Sequence, residues 1–154
     1  AIRLDPKYAY AHAVLGDFLL RVIRKYDEAE NELRAALRLN PNDSDTHISL
    51  GELFQITKQY NKAETEFREA IRLDPKYAYA HGALGGILLI TCRYNEAEKE
   101  LKKALSLDPT YVEAHVGLSI LLNAQGRYEE AEKEYQEALR LDPDKKLINS
   151  IGSG

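Results

Sequence analysis

Four histidines stand at His12, His47, His81 and His115, and the single thiol is Cys92. These residue types bind metals and attack carbonyls, so their spacing decides whether they can do either. Imidazole is a common metal ligand, but a zinc site needs three or four ligands converging on one point. The steps between the histidines are 35, 34 and 34. No two share a helical face in an HxxxH or HExxH pair. One histidine per period points to a recurring packing position, so neither a metal nor a cofactor is expected. Cys92 follows Thr91, and a cysteine nucleophile needs a positioned base. The nearest histidine in sequence, His81, is about three helical turns away, which leaves an ordinary thiol. No GxxxxGK phosphate loop and no GxSxG elbow occurs. The chain is expected not to be an enzyme.

The beat of the histidines is shared by other residues. The five prolines, Pro6, Pro41, Pro75, Pro109 and Pro143, are spaced 35, 34, 34 and 34 apart. Each closes a Leu-Asp-Pro or Leu-Asn-Pro phrase. Leu15, Leu50, Leu84 and Leu118 keep time, as do Tyr26, Tyr60, Tyr94 and Tyr128. Ala29, Ala63, Ala97 and Ala131 follow the tyrosines. Self-similarity at a fixed period of this length marks a repeat architecture.

Each period carries two helical stripes. In the second, His47, Leu50, Gly51, Leu53 and Phe54 share one face, and Tyr60, Ala63, Phe67, Ala70 and Ile71 share another. Proline ends the second stripe, because it disfavours helix at the residue before it. Period-2 alternation is absent. The pattern predicts an all-α chain with helices over 9–22, 25–39, 44–57, 60–73, 78–91, 94–107, 112–125 and 128–141. The small residues Gly16, Gly51, Gly85 and Ser119 recur beside large ones. A helical glycine costs about 1 kcal/mol against alanine, so its recurrence points to close approach of helix axes. One extra residue in the first period is expected between its two helices, near Arg24-Lys25.

Composition bounds the rest. The 154 residues carry 21 Lys plus Arg and 25 Asp plus Glu, a formal net charge of −4. That excess of acid argues against nucleic acid, whose phosphates are met by clustered Lys and Arg. No apolar run approaches the roughly 18–20 residues of a membrane span. With no signal-peptide pattern, a cytoplasmic setting is expected. The charged runs read as solvated faces, with i,i+4 pairs at Glu30–Arg34, Glu64–Arg68 and Glu98–Lys102.

The third period, with His81, Leu84, Gly85, Tyr94, Ala97, Leu101, Ala104 and Pro109, resembles the tetratricopeptide repeat (TPR) family. So does the fourth, with His115, Leu118, Ser119, Tyr128, Ala131, Tyr135, Ala138 and Pro143. The resemblance covers residues 9 to 143. It departs from the family at the histidine, where a large aromatic is usual. It divides the chain into the end of a preceding repeat (1–8), four repeats (9–43, 44–77, 78–111 and 112–143) and a C-terminal tail (144–154), partly linker. It implies a right-handed superhelical α-solenoid of antiparallel helix pairs, whose first helices line a concave groove.

Carrying the family's groove positions across gives Tyr10, Asp17, Leu20 and Arg21 in the first repeat, then Asp45, Ile48, Glu52 and Gln55. Tyr79 and Leu89 follow in the third, and Glu113, Val116 and Asn123 in the fourth. The expected groove is small, apolar and mildly acidic, with Arg21 its only cation. Family members that hold a partner's C-terminal carboxylate do so with Lys, Asn and Arg. Here those positions carry Ala13, Asp17, Ser49, Tyr79 and Ala83, or Ile48, Glu52, Ala83, Glu113 and Gly117, and the acids would repel a carboxylate. The expected partner is a protein or peptide, neutral or basic and apolar, with no nucleic acid and no membrane. A non-catalytic interaction scaffold is the reading. The alternative is a self-assembling module that stacks into a homo-oligomer through uncapped ends. Residues 1–12, AIRLDPKYAYAH, recur unchanged at 70–81. This suggests an excerpt of a longer array or an engineered assembly of repeats. The ending Ile-Gly-Ser-Gly is expected to be linker, with Leu147, Ile148 and Ile151 covering part of the last helix.

Overall fold

The computed structural model describes residues 6–144. The expected stub of a preceding helix before Pro6 and the docking of Leu147, Ile148 and Ile151 lie outside them. Among the described residues the regular secondary structure is entirely helical. The chain divides into two compact units, residues 1–75 and 76–154. In the first unit α1 (Pro6–Phe18) runs into a π-helical turn (Leu19–Ile23), followed by α2 (Tyr26–Leu39), α3 (Ser44–Ile56) and α4 (Tyr60–Leu73). The second holds α5 (Ala78–Ile90), α6 (Tyr94–Leu107), α7 (Val112–Ala124) and α8 (Tyr128–Leu141). Helices pair within repeats, α1 with α2, α3 with α4, α5 with α6 and α7 with α8.

The pairing follows from the two stripes. In α4 the face Ala63, Phe67 and Ala70 is buried, while Glu64–Arg68 and Glu69–Arg72 pair on the outside. The equivalent pairs Glu30–Arg34 and Glu98–Lys102 form at 2.8 and 2.7 Å. Each second helix ends at the leucine of its Leu-Asp-Pro or Leu-Asn-Pro phrase. The Asp74 amide donates to the Ala70 carbonyl at 2.8 Å, and Asp108 repeats this on Ala104.

The small residues sit where the axes come closest. A Cβ on Gly51 would run into the Phe67 ring, and one on Gly16 or Gly85 would stand 2.7 Å from Leu33 or Leu101. Phe67, Leu33 and Leu101 are buried in the space that the missing side chains leave. The fourth repeat solves the contact differently. Its Ser119 hydroxyl donates to the Ala131 carbonyl at 2.9 Å, and Tyr135, in phase with Phe67, is only partly buried.

The extra residue of the first repeat is not between the helices. It is taken up inside the first helix as the π-turn Leu19–Ile23. A π-turn holds one more residue within its hydrogen-bonded ring than an α-turn does, and it appears as a single-turn bulge inside α-helices. Its effect is visible in the core. Leu20 is buried and occupies the place that Phe54, Leu88 and Leu122 hold in the later periods. Leu20 is therefore core, not groove. Beyond the turn the phase is restored. Arg24, Lys58, Cys92 and Gly126 recur once per period in the left-handed conformation, with φ of 59°, 59°, 58° and 76°. They close the first helices in the manner of C-terminal caps.

One helix start differs from expectation for a reason outside the local sequence: α1 begins at Pro6 instead of residue 9, while α5 begins at Ala78 as expected. PKYAYAH occurs at 6–12 and at 75–81. The first copy is helical from its proline onward, which a helix tolerates at its first position. The second copy turns at Pro75 and Lys76 and becomes helical only at Ala78.

Candidate functional site

The expected groove residues lie on the first helices, and each unit presents its own surface. In unit 1 the surface is charged. The Arg21 Nε donates to Asp17 at 2.7 Å and its Nη2 to Glu52 at 2.6 Å. Ser49 Oγ adds a bond to the same Asp17 oxygen at 3.2 Å. The cation expected to face a ligand is thus spread over two acids of α1 and α3. Glu52 keeps only 12% of its side chain exposed. Tyr10 is largely exposed, Asp45 is exposed, and Gln55 is partly buried. Ile48 is 4% exposed and packs inside the unit.

In unit 2 the surface is aromatic and apolar. The Tyr79 ring lies 6.3 Å from that of Tyr77 and 6.0 Å from that of Tyr111, tilted in both cases. This is within the offset spacing aromatic rings favour. Gly82 admits Tyr111, since a Cβ there would collide with the Tyr111 ring. One turn on, a Cβ at Gly86 would meet nothing within 4 Å. Ile90 and Ile120 are about half exposed, Leu89 and Glu113 are partly buried, and Asn123 is exposed. Val116, at 6% exposure, packs with Val112 and Ala138.

The histidines do more than pack. In every repeat the imidazole Nδ1 meets a glutamate of the partner helix. His12–Glu32 and His115–Glu134 are 2.6 Å apart, and His47–Glu66 and His81–Glu100 are 2.7 Å apart. His47 Nε2 also lies 3.1 Å from the Pro41 carbonyl, and His115 Nε2 lies 3.0 Å from that of Pro109. Burial opposes charge on His47. The Glu66 hydrogen bond, the Pro41 carbonyl and the charges of Glu66 and Glu69 together outweigh it and raise its pKa above the ordinary imidazole value. The glutamates keep the common beat. That phase is a signal in the sequence, but a glutamate on a polar helix reads as solvated unless its partner is known.

Among the described residues no group of three or more His, Cys, Asp or Glu converges as a metal site would. Cys92 is exposed on its turn. It hydrogen-bonds the Tyr94 hydroxyl and pushes that pKa up.

Comparison with curated protein sequences gives no match. Solved structures give several. A crystal structure of MamA superposes with a TM-score of 0.81 at 22% identity, covering 92% of this chain and 82% of that one. Pseudomonas aeruginosa pilF gives 0.81 at 27% identity, covering 89% of this chain and 62% of that one, so the chain spans less than two thirds of pilF. The first TPR of Spaghetti (RPAP3), bound to the HSP90 peptide SRMEEVD, gives 0.77 at 22% identity, covering 82% and 99%. The Tetratricopeptide repeat family model matches residues 24–87 and again 88–151. The two matches together span most of the sequence, and the chain belongs to the tetratricopeptide repeat family.

Proposed function

We propose that this chain is a non-catalytic scaffold that holds an extended protein segment against its first helices. Repeats of this family build interaction surfaces, and a peptide-bound structure is among the chain's neighbours. The observation that carries the reading is the α5–α7 surface of unit 2. Tyr79 stands in an aromatic group there, Gly86 leaves open space, and Ile90 and Ile120 expose branched side chains. Of the expected groove positions in that unit only Glu113 is charged. Buried aromatic anchors concentrate binding energy at such surfaces. In unit 1 the acids Asp17, Asp45 and Glu52 outnumber Arg21. The preferred partner is therefore an apolar segment, neutral or basic. An acidic peptide like that bound by Spaghetti would meet like charge. A cytoplasmic setting belongs to the same proposal. Separately, no helix among the described residues is long and apolar enough to cross a membrane.

The test is selection of a displayed random-peptide library on the full chain, followed by measurement of the selected peptide on Tyr79→Ala and Gly86→Lys. Gly86→Lys fills the open space without entering the core. The expected motif is apolar with no terminal acid. Tyr79→Ala should weaken it by roughly tenfold or more, as loss of an anchor does, with the helical circular dichroism kept. The absence of any motif, or equal affinity for the parent and both variants, overturns the reading.

One observation favours a second reading, self-association. Leu15 and Phe18 on α1 are 45% and 48% exposed, whereas their counterparts Leu50 and Leu53 on α3 are 0% and 1% exposed. On α3, α2 packs alongside, and Leu50 lines a cleft with Leu37 of α2. A second copy could cover the exposed face of α1 with its own last helix. Light scattering would then show dimers or longer species that Leu15→Glu abolishes, and a monomer at high concentration rules this out.

A further inference from the structure

His47 stands near the start of α3 and faces acceptors on both ring nitrogens. Nδ1 is 2.7 Å from the Glu66 carboxylate of α4, and Nε2 is 3.1 Å from the Pro41 carbonyl of the turn after α2. A neutral imidazole carries one N–H, so it can satisfy only one of these. An imidazolium carries two and satisfies both. The Glu66 contact is shielded, with 12% of His47 and 17% of Glu66 exposed, so the carboxylate is matched best by an imidazolium, whereas the Pro41 contact is exposed and its carbonyl can turn to water when the ring is neutral.

The remaining charges around the ring can be named. From α4, Glu69 adds negative potential, tempered by its own pair with Arg72 at 2.6 Å. From α2, Arg34 and Arg38 line the cleft into which His47 and Glu66 open. Arg34 is neutralised by Glu30 at 2.8 Å. Arg38 is exposed, where water and salt screen its charge. Ahead of α3, Asp43 accepts a bond from Thr46 at the helix start. The carboxylate and the carbonyl touch the ring directly, and they dominate its surroundings. His115 in unit 2 repeats the arrangement, with Glu134 on one nitrogen and the Pro109 carbonyl on the other.

We propose that the second repeat is closed by a proton-dependent clasp, in which an imidazolium at His47 ties α3 to α4 through Glu66 and to the preceding turn through the Pro41 carbonyl. The clasp releases as pH rises, and the direction follows from linkage. Folding raises the affinity of His47 for its proton. The stabilisation is therefore complete below about pH 6.5 and is lost as pH climbs through the raised folded value. A protein at the alkaline edge of neutrality would hold this helix pair more loosely than the same protein in a mildly acidic setting.

The experiment is nitrogen-15 NMR of the histidine rings of the full chain from about pH 5.5 to 9, a range that brackets the ordinary imidazole value, with His47 assigned through its backbone. It is repeated on Glu66→Gln, which keeps the shape and removes the charge. The expected result is a His47 ring protonated on both nitrogens at about pH 6.5, with a titration midpoint above that ordinary value which falls in Glu66→Gln. In parallel the wild-type melting temperature should drop by roughly 2–4 °C between about pH 6 and 9. That drop should shrink in His47→Gln. A midpoint at or below the ordinary imidazole value, or one indifferent to Glu66→Gln, overturns the clasp. So does a melting profile that His47→Gln leaves unchanged, and if that variant fails to fold the ring titration alone decides.

Discussion

A glycine at the centre of a helix has opposite meanings in this chain, and only its neighbours tell them apart. Gly51 and Gly86 both occupy helix interiors. Gly51 faces the buried Phe67 ring, into which a Cβ would intrude. Gly86 faces open space. In a close-packed interior the ring cannot withdraw without opening space elsewhere. Gly51→Ala should therefore cost about 1–3 kcal/mol, the range for overpacking. Gly86→Ala should gain up to about 1 kcal/mol from helix propensity, with nothing to displace. Chemical denaturation followed by circular dichroism measures both, and a Gly51→Ala midpoint equal to or above wild type would refute the contact. The period exposes Gly51 as a packing residue, since Gly16 and Gly85 share its place. The histidines are a different case. Their phase is plain, yet their role depends on Glu32, Glu66, Glu100 and Glu134, which lie on other helices 19 or 20 residues away. Periodicity finds residues that share a face. It does not find residues that meet across two faces.

At the scale of the element, the existence of each helix is legible in the sequence and its detail is not. The two stripes per period locate all eight expected helices, because amphipathic spacing must match the burial each helix achieves. The extra residue is misplaced by the sequence because nothing between Leu15 and Tyr26 marks where the phase slips. A loop is the default site for an insertion. The helix instead widens by a π-turn at Leu19–Ile23. Ahead of the turn, Phe18 keeps step with Leu53 on the count from the histidine. Past its start, Leu20 keeps step with Phe54 on the count from the tyrosine. Deleting Leu19 should convert the turn to regular α-helix while Leu20 keeps its buried place. We expect stability within about 1 kcal/mol of the parent, measured by urea denaturation, and a helical signal undiminished per residue. Loss of cooperative unfolding would mean that the π-turn is required. The two copies of PKYAYAH teach a related lesson. Identical residues form helix from Pro6 and a turn at Pro75, so propensity alone settles neither.

For the molecule as a whole, family and fold are legible because four periods repeat one set of size and shape requirements. The surface is less so. A helix position tells which way a side chain points but not what lies over it, and Ile48 and Val116 are packed where their positions suggest contact surface. Arg21 reads as a lone cation in the sequence, while the structure engages it with Asp17 and Glu52. Its place also depends on the π-turn. Counting from the histidine would align Arg21 with Ile56, whereas counting from the tyrosine aligns it with Gln55. The helix obeys the second count from Leu20 onward. A residue added inside a regular α-helix turns every later side chain of that helix by about 100°, off its buried face. The π-turn works as a frameshift suppressor written into the backbone: it absorbs the slip within one turn and returns the rest of the first helix, from Leu20 onward, to its buried face. Chain length and repeat phase are thereby uncoupled at that point, and a first helix of this kind is a place where an array can vary in sequence length without relearning how to pack.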